Sequence, residues 1–79
     1  METRIAFTER LNRAMYVRGK HGKPMKNTEL ARRAEITTKT IALCRSGKRC
    51  PQGVTLAKIA KALGVSIDWL MGVSDKGGV

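Results

Sequence analysis

The sequence predicts an all-α domain of five short helices, and three observations carry that expectation. Apolar residues recur at helical spacing, most clearly at Leu56, Ile59, Ala60 and Leu63, which follow an i, i+3, i+4, i+7 pattern. Glycines at 19, 47, 64 and 72 stand where such segments would end. No stretch shows the two-residue alternation of a half-buried strand, and no internal repeat occurs.

The first helix opens at Thr3 or Arg4 and runs to about Arg18. Phe7, Leu11, Ala14 and Met15 form its buried stripe, with Arg10, Arg13 and Arg18 lying off it. Arg10 and Arg13 are expected to add long-range attraction without a fixed contact. Gly19 ends this helix, and Lys20–Pro24 is a glycine- and lysine-rich loop, either solvated or touching a phosphate backbone. Asn27 is expected to cap a second helix, Thr28–Ala34, and Thr37 a third, Thr38 to about Arg45. Gly47 terminates the third, and Lys48–Gln52 is a loop. The fourth helix spans Val54–Leu63, with Lys58 and Lys61 outward and Gly64 as its stop. Ser66, with Asp68 two places later, begins a fifth helix, Ile67–Met71, closed by Gly72. Residues 1–72 thus read as one domain and 73–79 as a flexible tail or linker.

Charge narrows the function. Sixteen Lys+Arg against six Asp+Glu give 79 residues a formal charge of +10, a density that anticipates a polyanion. It is unevenly placed. Between Arg10 and Arg49 the only acids are Glu29 and Glu35, whereas from Cys50 onward Lys58, Lys61 and Lys76 face Asp68 and Asp75. Cys44 reads as a small core residue and Cys50 as a loop thiol. With no CxxC, and His21 in a different segment, neither a disulfide framework nor a zinc site is expected. No metal, cofactor, catalytic residue or small-molecule substrate is expected, because paired carboxylates, a Cys–His couple and a phosphate-binding glycine loop are missing. There is no signal peptide or long apolar run, so no membrane association is expected and the cytoplasm is the default.

The segment from Asn27 to Ser46 is the most informative. Leu30 and Ala34 share one face of the second helix, and Ala31 is small enough for close approach by another helix. Ile36 plugs the turn, and Ile41 with Cys44 forms the inner face of the third helix. This is the spacing of a helix-turn-helix, whose second rod suits the major groove of DNA. Burying Ile41 and Cys44 leaves Thr38, Lys39, Ala42 and Leu43 off the inner face.

With these residues in view, the chain resembles the lambda repressor-like helix-turn-helix family of phage repressors, Cro proteins and related bacterial regulators. The resemblance runs from about Phe7 to Gly72. It is carried by TELARRA at Thr28–Ala34, TTKTIALCRSGKRCP at Thr37–Pro51 and LAKIAKALGVSIDWLMG at Leu56–Gly72. It implies a five-helix domain, sequence-specific operator binding and action as a two-fold dimer. Three departures stand out. Glu35 occupies a turn position often held by glycine, at a cost of roughly 1 kcal/mol if the backbone there is left-handed. Met15 and Arg45 replace both members of an arginine–glutamate pair common in the family, leaving no orphaned buried charge. The basic loop after the first helix is longer than usual, so contacts made there by relatives do not carry over.

The resemblance implies base-reading roles for Thr38, Lys39 and Leu43. Lys39 suits guanine O6 or N7, and Thr38 an edge hydrogen bond or a thymine methyl. Leu43 suits a thymine methyl or extends the core. Asn27 and Thr28 at the start of the second helix, and Thr37, Thr40, Lys48, Arg49 and Gln52 around the third, are expected to hold phosphates. Arg32 and Arg33 lie outward, and at least one is expected to be merely solvated. Ile67, Leu70 and Met71 of the fifth helix are the expected surface for a weak homodimer, with Trp69 in the core. The implied function is a transcriptional regulator bound to a double-stranded operator, a phage or prophage repressor. The alternative is an antitoxin or protein-interaction module that uses the same fold to bind a toxin or RNA polymerase.

Overall fold

Five helices form, in the order and places expected from the sequence. The computed structural model describes residues 3–79. The helices are α1 (Thr3–Val17), α2 (Asn27–Ala34), α3 (Thr38–Arg45), α4 (Gly53–Leu63) and α5 (Ile67–Leu70), and no strand occurs among the described residues. Expected boundaries differ by about one residue, the ordinary uncertainty of a fraying end.

The periodic residues make the core. Phe7, Leu11 and Met15 from α1, Leu30 from α2, Ile41 and Cys44 from α3, Ile59 and Leu63 from α4 and Leu70 from α5 are all fully buried. Helix α2 packs on both α3 and α4, while α1 packs on α3 and α5. Among the described residues no polar or charged residue is buried, so the interior is held by apolar packing. Ile36 packs against the core from the turn between α2 and α3, as its place in the sequence suggests.

Caps divide into those the sequence foretold and one it did not. The Thr37 hydroxyl accepts from the Thr40 N–H at 3.2 Å, and the Ser66 hydroxyl from the Trp69 N–H at 3.0 Å. Asn27 does not cap α2. It is the first helical residue, and the capping position falls to Lys26, which makes no side-chain cap bond. The Asn27 amide oxygen is taken instead by Arg45, whose Nη1 donates to it at 2.7 Å.

Residues after α5 return across the domain. The Ser66 N–H donates to the Gly77 carbonyl at 2.7 Å, and Arg10 Nη1 donates to the carbonyls of Trp69 at 2.9 Å and Ser74 at 2.7 Å. Gly78 lies flat on the Trp69 indole, where a Cβ would come within 2.1 Å of a ring carbon. Composition suggested a linker for 73–79; these bonds give the segment a defined path. Arg10 likewise has a fixed set of partners rather than only a long-range charge. Its guanidinium also sits 5.0 Å from the Trp69 ring centroid and 2.8 Å from an Asp75 carboxylate oxygen.

Candidate nucleic-acid interface

Helix α2 ends with Glu35 in the left-handed region, at φ 57° and ψ 44°. The Ile36 N–H then turns back to the Ala31 carbonyl at 3.0 Å, closing the helix and directing the chain into α3. Gly64 closes α4 by the same geometry at φ 70°. Glu35 carries a Cβ where Gly64 carries none, so the turn is strained. Glu35→Gly should raise stability by about 0.5–1 kcal/mol, the relief being partly offset by the greater freedom of glycine in the unfolded chain. A denaturant titration checks this, and Glu35→Asn should fall between the two.

Helix α3 presents two unlike sides. Ile41 and Cys44 are fully buried against the other helices, whereas Thr38, Lys39 and Ala42 are exposed and Leu43 is half-buried. Burial pushes the Cys44 thiol above its ordinary pKa and keeps it protonated. The position of α3 is fixed by Arg45. Its Nε donates to the Asn12 amide oxygen at 2.7 Å while Nη1 reaches Asn27, and the Asn12 amide donates back to the Arg45 carbonyl at 3.2 Å. One planar guanidinium therefore ties the end of α3 to α1 and α2. With its oxygen committed to Arg45, Asn27 keeps its amide N–H groups for another acceptor.

The residues expected to hold phosphates fall into separate groups. Thr37, Thr40, Arg49 and Gln52 line one open depression of about 530 Å³, floored by Ile36, Cys50, Pro51 and Thr55. Lys48 is exposed in the same loop but outside that depression. Asn27 and Thr28 border another, of about 560 Å³, with Lys23, Lys26 and Arg45. The Thr37 and Thr40 hydroxyls are 2.8 Å apart, so one of them donates to the other. On α2, Arg33 is paired with Glu29 at 2.7 Å and Arg32 is exposed.

One assignment on α5 needs correction. Leu70, expected at a dimer surface, is fully buried and belongs to the core; a four-residue helix is too short for its apolar pattern to show which side faces in. Ile67 is exposed, and Met71 is half-buried against the core. Trp69 is buried, as expected. Sequence reading also missed Met25, a core residue from the basic loop, and Arg18, whose Nε donates to the last carbonyl of α4, Leu63, at 2.9 Å. Neither carries a periodic signal, because each acts across the fold from a helix end or a loop.

The sequence model of the helix-turn-helix family matches residues 15–70, more than half of the chain and all of α2, α3 and α4. The chain belongs to this family, the Cro/C1-type helix-turn-helix proteins. It is accordingly a DNA-binding regulator. No curated protein and no solved structure matched it. Among the described residues no helix is long and apolar enough to cross a membrane.

Proposed function

We propose that this chain is a sequence-specific transcriptional regulator, a phage or prophage repressor that binds a two-fold operator through the major groove. The observation that carries this reading is the division of α3: Ile41 and Cys44 anchor it inward while Thr38 and Lys39 stand free outward. Thr38, Lys39 and Leu43 read base edges in this proposal. Asn27, Thr28, Thr37, Thr40, Lys48, Arg49 and Gln52 position the backbone around them. A single short helix reads only a few base pairs. A weak two-fold dimer engaging half-sites about 34 Å apart supplies the missing information. Ile67 and Met71 remain the residues proposed for its contact surface.

Readout and positioning predict different mutant behaviour. Lys39→Ala should cost ~1–3 kcal/mol on the cognate duplex and relax preference at one base pair. Arg49→Ala should weaken cognate and random duplexes alike and flatten the dependence of affinity on salt. Titrations of both variants against both duplexes at two salt concentrations separate the roles. Equal loss on every duplex for Lys39→Ala would remove it from the reading face.

A further inference from the structure

The loop between α1 and α2, residues 19–26, carries lysines that no contact inside the domain uses. Lys20, Lys23 and Lys26 are all exposed, and among the described residues none has a hydrogen bond or ion pair. The loop is nevertheless built rather than loose. Gly19 packs so closely on the returning strand of the loop that a Cβ would lie 1.8 Å from the Lys23 carbonyl oxygen. The Lys23 N–H donates to the Lys20 carbonyl at 3.0 Å, and the Met25 N–H donates to the Met15 carbonyl at 2.8 Å. Met25 itself is buried in the core. The lysine backbones are therefore held in place before any ligand arrives, which lowers the ordering cost of binding.

Around this loop lies a cleft of about 540 Å³, lined by Arg18, Lys20, His21, Lys23, Lys26 and Arg33 among others. Glu29 is its one acid and is already paired with Arg33. Lys23 and Lys26 also border the depression that holds Asn27 and Thr28. The cationic rim thus runs without a break from the start of α2 outward to the end of α1. A rim of unpaired, preplaced ammonium groups continuous with a phosphate-facing helix end fits a second run of phosphates on the same strand.

We propose that residues 19–26 form a second DNA-backbone contact, in which Lys20, Lys23 and Lys26 hold phosphates flanking the half-site read by α3. This rests on the operator-binding reading and extends it: the footprint is longer than the recognition helix alone requires, and the extension is insensitive to base sequence.

The test uses the full chain with two cognate duplexes, one ending at the outer edge of the half-sites and one extended on both sides. The wild type should bind the extended duplex about tenfold more tightly. Lys20→Ala/Lys23→Ala/Lys26→Ala should lose that gain and bind the short duplex as the wild type does. On the extended duplex its log–log salt slope should be shallower by about 2–3, near 0.9 per lost phosphate contact. Lys58→Ala/Lys61→Ala/Lys76→Ala removes equal charge elsewhere and should keep the gain, separating local contact from net charge. Neutral methylphosphonates at the flanking positions, tested with the wild type, should reproduce the loss without any change to the protein. A lysine-loop variant that binds both duplexes like the wild type, or flanking methylphosphonates without effect, overturns the proposal while cognate preference on the short duplex leaves the operator reading intact. Absence of that preference in the wild type overturns both.

Discussion

Replacing Arg45 with alanine should lower stability by about 2–4 kcal/mol, because it removes two charge-assisted hydrogen bonds and leaves two amide oxygens without their donor. Nε holds Asn12 and Nη1 holds Asn27, each at 2.7 Å, from a site that is only part-buried. Partial exposure lets water recover some of the loss and keeps the expected value well below the sum for fully buried pairs. For a chain of this size the melting temperature should fall by at least about 10 °C. Arg45→Lys should recover only part, since an ammonium lacks the planar fork that reaches both amides in different directions. A double-mutant cycle with Asn12→Ala should be strongly non-additive, because the two changes delete the same bond. Well below its melting point Arg45→Ala should still bind DNA more weakly than the wild type. The cause is geometric: Arg45 sets where α3 ends relative to α1 and α2, and it orients the amide of Asn27.

The second large effect is expected at Arg10. Arg10→Ala should cost about 2–3 kcal/mol, through loss of its hydrogen bonds to two carbonyls and its stacking on Trp69. The Asp75 partner contributes little, since its side chain is 96% exposed and water screens the pair. Asp75→Asn should therefore be nearly silent, which separates the carbonyl clamp from the ion pair. Trp69 is the single tryptophan of the chain, so its fluorescence reports on the segment that covers it. Emission should shift to the red in Arg10→Ala as residues 74–78 lift away, and proteolysis in that segment should become faster. Gly78→Val should produce the same red shift by another route, because its side chain would occupy the space of the indole. An unchanged emission maximum in both variants would show that the segment does not depend on these contacts.

These two arginines mark the limit of what the chain reveals in one dimension. The stripe of Phe7, Leu11, Ala14 and Met15, and that of Leu56, Ile59, Ala60 and Leu63, were legible because a helix repeats its buried side at fixed spacing. The caps at Thr37 and Ser66 were legible because donor and acceptor lie three residues apart. Asn27 looked like the same local device, yet its oxygen serves a guanidinium 18 residues away. Arg10 looked like a free surface charge because its acceptors lie more than 50 residues downstream. Leu70 was misplaced for a related reason: over the single turn of α5, buried and exposed apolar positions are indistinguishable until α1 and α4 are packed beside them. At the candidate site, the exposure of Thr38 and Lys39 followed from the inward demand of Ile41 and Cys44. The three-helix tie that holds them did not, because long-range polar bonds have no period.

Stability and recognition meet in α3. Its inner side contributes to the core, its end is tied through Arg45, and its start is capped by Thr37. What remains outward is a short, rigid face with cations on either side. The most direct measurement is selection of bound duplexes by the wild-type chain from a random pool at moderate salt, followed by sequencing. The account expects one enriched motif, built as two inverted half-sites about one helical turn apart. A bound pool that stays random in sequence would contradict it, leaving a basic domain that holds DNA without reading it.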